Sequence, residues 1–307
     1  MTAIHDTSRA AHVRDVHLRA VEPTRHATLE QLRRSRTRAD QFERLRMFAA
    51  TRARPPVFAY WSAALIHGLP LLEPSPGTIH VVAAGRTEGA ASGVVTHARD
   101  QPSCAVVKQG LRATSVAKTV ADLAGRTSFL QGVALADAAL STGTWGERTP
   151  LATRQDLEEA ASAVRDPHER RRAVASVRFA DGRAESPLES VSRATIALAG
   201  APPPALQLAV PALFGPSARL DFAWPELGVA GEADGAAKLH HAAFRRGRDA
   251  WGLLAERAAR ERRVEAAGWR FVRWQWATGR RVDKMSELLV RHGIPLDRAG
   301  RIAALGL

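Results

Sequence analysis

Cysteine is almost missing: Cys104 is the only one in 307 residues. That excludes a disulfide framework and a thiolate zinc site. Lysine is nearly as scarce. Of 44 basic residues, 40 are Arg and only Lys108, Lys118, Lys238 and Lys284 are Lys. Long apolar runs are also lacking. The opening stretch MTAIHDTSRAAHVRDVHLRA has no apolar centre of the kind a signal peptide needs. The run from Val57 to Ile66 is too short to span a bilayer. The expectation is a cytoplasmic protein with no membrane partner. There is no internal repeat and no low-complexity tract.

What is present is a globular composition, 45% hydrophobic and 24% charged, in a chain long enough for two ordinary domains. The net charge is +13. Either arginine richness alone accounts for it, or the partner is a polyanion, most often nucleic acid. The distribution favours the second. From Ala184 to Ala237 there are two basic and six acidic residues, and from Lys238 to Leu307 sixteen basic and seven acidic. An acidic cluster followed by a basic segment suits a metal site beside a phosphate-binding surface.

Periodicity and turn residues divide the chain. Residues 1–54 are polar, Arg-rich and helical in spacing. Residues 55–150 read as a small α+β domain: a helix over 57–68, strands at TIHVVAA, GVVTHAR and AVVKQG, then two helices. Residues 151–183 read as a charged helical linker. Residues 184–307 read as helix, three strands, helix, strand, helix, an α/β sandwich around a mixed sheet. Ser186 as cap, Pro187 at the first position and Gly200 as stop frame its first helix.

Carboxylates in apolar surroundings mark the candidate chemistry. Asp221 sits within the strand ARLDFAW, and Glu232 and Asp234 alternate on GVAGEAD, so these two face one side. Glu189 lies one turn into the preceding helix. Oxygen ligands without His or Cys suit a hard cation, Mg²⁺ or Mn²⁺, which activates water and neutralises a phosphate under attack. The bland alternative is a set of solvated salt bridges at strand ends. Lys238 follows the acidic strand and, unlike Arg, can titrate, which suits positioning of a nucleophile. On the basic helix, Arg257, Arg260 and Arg263 recur at a spacing of three and form a candidate DNA-binding face, unless they belong to a solvated helix laced with Glu. Trp269, Trp274 and Trp276 either stack bases or fill the core.

The segment from Glu185 to His292 resembles the bacterial domain related to very-short-patch-repair (Vsr) endonucleases, within the PD-(D/E)XK, or restriction-endonuclease-like, superfamily. The elements that carry the resemblance are SPLES, LQLAV, RLDFAWPELGVAGEADG and RERRVEAAGWRFVRW, in that order. It implies a restriction-endonuclease-like mixed sheet flanked by helices and a Mg²⁺-dependent DNA endonuclease. Residue by residue, Glu189 matches the helix acid, Asp221 the strand Asp and Glu232 the first acid of the next strand. Asp234 occupies the place of the usual Lys, two residues on, so Lys238 stands in from a different backbone position or Asp234 becomes another metal ligand. The stretch YWSAALIHGLPLL…TIHVV…GLRATSVAKTVADLAG resembles the body of AbiEi-type antitoxins, which implies a toxin–antitoxin or phage-defence setting and a cognate toxin or antitoxin as partner. The competing expectations are a non-catalytic DNA-binding or antitoxin protein that keeps a nuclease fold, and a toxin acting on RNA.

Overall fold

In the computed structural model, the described residues are 37–73, 76–84, 89–91, 93–99, 105–143, 148–210, 218–234 and 250–297. They form ten helices and two mixed sheets, an α/β and α+β architecture. The N-terminal part holds α1 (Arg38–Ala50), β1 (Val57–Phe58), α2 (Tyr60–His67), β2 (Ile79–Ala84), β3 (Gly89–Ala91), β4 (Val94–Arg99), β5 (Ala105–Lys108), β6 (Leu111–Thr114), α3 (Val116–Arg126) and α4 (Phe129–Leu140). Then come α5 (Arg154–Ser162) and α6 (Pro167–Phe179). The C-terminal part holds α7 (Pro187–Ala199), β7 (Ala205–Val210), β8 (Ala218–Trp224), β9 (Val229–Ala233), α8 (Ala250–Ala266), β10 (Arg270–Trp274), α9 (Trp276–Gly279) and α10 (Val282–Arg291).

The first sheet runs β3-β4-β2-β1-β6-β5, and three of its strands are found where the sequence pattern places them. The expected helix over 57–68 is shorter. Val57 and Phe58 are buried and pair with β2 on one side and β6 on the other, so they belong to the sheet. The helix starts at Tyr60, whose φ of 48° lies in the left-handed region and turns the chain out of the strand. Gly125 lies inside α3. A Cβ there would sit 2.9 Å from the backbone oxygen of Glu169, so this glycine lets α6 approach closely.

That approach corrects the linker reading. The two helices of 151–183 are present, but they are not a tether. Leu157, Ala161, Ala173 and Val177 are buried in one core with Val120, Leu123 and Leu135. The charged outer faces hide a stripe of small inward residues, which is what close helix packing needs. The joint between the two parts is then α4 against α7. At its centre Arg193 Nη2 donates to both oxygens of the fully buried Asp137, at 2.8 and 2.9 Å.

The second sheet runs β10-β9-β8-β7, with β9 and β10 parallel and the other pairs antiparallel. Leu188 and Ile196 of α7 and Met285 and Leu289 of α10 cover one face with Phe222, Trp224, Val272 and Trp274. Val264 of α8 covers the other with Ala223 and Ala230. The order of elements matches the expectation, and Ser186, Pro187 and Gly200 frame α7 as read, with Gly200 at φ 84°.

A buried imidazole pair in the first sheet gives a pH-dependent result. His80 Nδ1 lies 2.9 Å from His97 Nε2, and both rings pack near Tyr60. Burial, and then the positive charge of Arg126, lowers the His80 pKa from 6.5 to about 4. The unfolded chain therefore takes up a proton below pH 6.5 that the folded chain refuses until about pH 4. Stability falls as pH drops through that window and levels off below it, by on the order of 3 kcal/mol. Burial lowers His67 as well, with the same sign. Urea unfolding at pH 7 and pH 4.5 checks this, and His80→Asn should flatten the difference.

Candidate functional site

The three central strands place the acids by register. The β8–β9 ladder ends at Phe222 opposite Gly231, and one further step sets Asp221 opposite Glu232. There the backbone ladder opens, and the Ala233 N–H donates to Asp221 Oδ2 at 3.1 Å instead. On β10, Arg273 is in register with Glu232. On β7, Gln207 falls opposite Asp221, between the pairs Leu206–Phe222 and Leu208–Leu220. Gln207, Asp221, Glu232 and Arg273 thus form one row across the sheet.

Gln207 has φ 53°, a strained setting for a residue with a side chain. Its effect is visible in the packing. Leu208, Val210, Ala218 and Leu220 join the core under α8, whereas Leu206, Phe222 and Trp224 join the core under α7. Both strands change face at the Gln207–Asp221 position, so the row lies at a bend in the sheet.

Glu189 reaches this bend from the α7 side. It is buried, and both its oxygens are hydrogen-bonded: Oε1 accepts from Ser186 Oγ at 2.7 Å, and Oε2 from the Glu185 N–H at 2.8 Å and Gln207 Nε2 at 2.9 Å. Ser186 Oγ in turn accepts from the Glu189 N–H at 3.3 Å. Glu189 is thus a reciprocal helix cap that pins Gln207. Ser186→Ala should cost about 1 kcal/mol through loss of this cap, measured by thermal unfolding.

Glu232 is approached from the α8 side. It is buried, and its Oε1 forms an ion pair with the Arg260 guanidinium. Arg260 also donates to the Arg219 carbonyl. Arg273 spreads over three acids: Glu232 at 3.6 Å, Asp234 at 3.2 Å and Glu261 at 3.1 Å. Arg219 pairs with Glu185 at 2.5 Å.

The expected site residues therefore divide. Asp221 and Glu232 are cross-strand neighbours. Asp234 directly follows β9 and pairs with Arg273, and Glu189 is occupied as a cap. Among the described residues, no group of three or more His, Cys, Asp or Glu is placed to hold one metal ion. The four-carboxylate ligand set is reduced to the Asp221–Glu232 pair. A pair still fits Mg²⁺, which commonly binds through one or two carboxylates and keeps several waters. Of that pair, Glu232 Oε1 already meets the Arg260 guanidinium, so an ion bound there would displace Arg260 or share the oxygen with it. Lys238 lies outside the described residues, as do Arg245, Arg246 and Arg248. Within α8, Arg260 is turned inward onto Glu232 instead of outward to a phosphate face. Arg263 buries its Nε without a hydrogen-bond partner among the described residues, and Arg257 contributes only its place on the helix.

Sequence reasoning missed Arg219, Arg273, Glu185 and Gln207. Arg219 and Asp221 are two apart on one strand, a spacing that was visible. Arg273 meets Glu232 only through a parallel register, which no local pattern reveals. Of the tryptophans, Trp274 is core, its Nε1 donating to Ser192 Oγ at 2.8 Å, whereas Trp276 is 37% exposed.

No family model matches the chain, and no solved structure matches it. It is similar to two uncharacterized proteins of Mycobacterium tuberculosis, MT2308 of strain CDC 1551 / Oshkosh and Rv2248 of strain H37Rv. Each is 35% identical over 127 residues, which is 40% of this chain and 43% of the relative. The chain spans less than half the length of these relatives. Among the described residues, no helix is long and apolar enough to cross a membrane.

Proposed function

We propose that this protein is a divalent-cation-dependent DNA endonuclease of the PD-(D/E)XK, Vsr-like type. The observation that carries the reading is the placement of Asp221 opposite Glu232 at the point where the β8–β9 ladder opens. Around it, Arg260 and Arg273 pair with Glu232, Arg273 also with Asp234 and Glu261, and Arg219 with Glu185. When bound, Mg²⁺ or Mn²⁺ supplies activation of water and stabilisation of charge on the phosphate. Asp221 and Glu232 would hold it. The Ala233 N–H fixes the orientation of the Asp221 carboxylate. Glu189 acts as a positioning residue, holding Gln207 at the strained bend. Arg260 and Arg273 brace Glu232 and Asp234, and Lys238 is the cation assigned to the nucleophile. The likeness to AbiEi-type antitoxins supports a toxin–antitoxin or phage-defence setting.

A second reading is a non-catalytic DNA-binding or antitoxin protein on the same scaffold. It is favoured by the Arg260–Glu232 ion pair, which already neutralises the key acid. Incubation of the full chain with supercoiled, single-stranded and mismatched DNA, with Mg²⁺, Mn²⁺ or EDTA, separates the two. Metal-dependent products support the nuclease; DNA binding without products under every condition supports the scaffold.

A further inference from the structure

A cleft of about 720 Å³ lies between the two parts of the molecule, and its walls carry Arg38, Lys108, Arg148 and Trp276. Arg38 Nη2 donates to the Leu69 carbonyl at 3.0 Å, and Lys108 Nζ to the His67 carbonyl at 3.0 Å. These contacts hold the side chains in place without cancelling their charge. Among the described residues, none of the three cations has a carboxylate partner. The acid that lines the cleft, Glu185, is taken by Arg219 at 2.5 Å. The cleft is therefore electropositive and built from both parts of the chain. Trp276 offers an exposed indole at the start of α9, where a core role is already filled by Trp274.

One wall of the cleft is linked to the carboxylate row by hydrogen bonds. Glu185 and Ser186 line the cleft, and the same two residues hold Glu189 through the Glu185 N–H and Ser186 Oγ. A chain of phosphates lying against Arg38, Lys108 and Arg148 would lie beside the start of α7, the helix that carries Glu189. The space is of the size that takes a ligand of one or a few nucleotides. Cations along a groove with an aromatic platform are the features that bind single strands.

We propose that this cleft binds single-stranded DNA, with phosphates on Lys108, Arg148 and Arg38 and a base stacked on Trp276. The binding does not rest on the nuclease reading. Fluorescence anisotropy of a labelled 12-nucleotide oligothymidylate with the full chain in EDTA tests it, because hydrolysis is then suppressed. Lys108→Gln with Arg148→Gln should weaken binding about 10-fold at low salt and flatten the log–log salt slope by about 1.4, the value for two phosphate contacts to a single strand. Trp276→Leu should weaken binding at least about 5-fold while leaving the slope unchanged. The exposed pair Lys284→Gln with Arg291→Gln removes the same charge elsewhere and should change affinity far less. Equal losses in that control, or an unaltered affinity in both cleft variants, would overturn the proposal whether or not the protein cleaves DNA. A wild type that binds the oligonucleotide through these residues but cleaves nothing would sustain the cleft and sink the nuclease reading alone.

Discussion

Asp137→Ala is expected to destabilise the full chain by roughly 3–5 kcal/mol. Asp137 is fully buried on α4 and accepts two hydrogen bonds from Arg193 of α7 and one from the Asp181 N–H at 2.7 Å. Burial pushes its carboxyl above the ordinary value, and Arg193 pulls it back. Removing the acid strands the guanidinium, whose remaining partners are the Phe179 carbonyl at 2.6 Å and the Phe179 ring. An uncompensated buried charge costs more than an intact pair contributes. Asp137→Leu with Arg193→Met should therefore recover most of the loss. Urea unfolding of Asp137→Leu, Arg193→Met and the double variant measures the coupling. A loss below about 1 kcal/mol for Asp137→Ala would show that α4 and α7 are not joined through this pair.

Asp221→Asn carries the second large effect. The Asn side-chain oxygen can still accept the Ala233 N–H, so the bend and the β8–β9 opening should survive. What disappears is one negative charge opposite Glu232. Metal-dependent cleavage should fall by about 10²–10³-fold or more, since a water-activating, charge-stabilising arrangement loses a ligand. Affinity for DNA in EDTA should stay the same or tighten, because a repulsion with phosphate is removed. Glu232→Gln is the less clean variant: it also breaks the ion pairs with Arg260 and Arg273 and should lower stability. Retained cleavage in Asp221→Asn would place the chemistry elsewhere.

The elements of the C-terminal sheet were legible because their signals are local. Ser186, Pro187 and Gly200 mark a helix by cap, first position and stop, and ARLDFAW matches β8 end to end. The candidate acids were legible for the same reason, as charges in apolar strands. Their partners were not. Arg260 lies 28 residues after Glu232 in the chain, and its inward turn depends on how α8 crosses the sheet. Glu189 looks like a ligand in a Ser-x-x-Glu stretch, yet that pattern equally describes a helix cap, and only the hydrogen bonds from Ser186, Glu185 and Gln207 decide it. Gln207 gave no warning of a positive φ, since nothing local in LQLAV marks the residue at which the strand changes face. The inward packing of the 151–183 helices was not legible, because their charged outer faces dominate the composition over the few buried positions Leu157, Ala161, Ala173 and Val177.

Calorimetric titration of Mn²⁺ into the full-length wild type and Asp221→Asn, each with uncleavable phosphorothioate DNA present, addresses the carboxylate pair most directly. The expected result is one Mn²⁺ bound per wild-type chain and none at that site in Asp221→Asn. Identical isotherms for the two proteins, or no Mn²⁺ binding by the wild type, would contradict a metal held by Asp221 and Glu232 and leave the arginine-neutralised scaffold in its place.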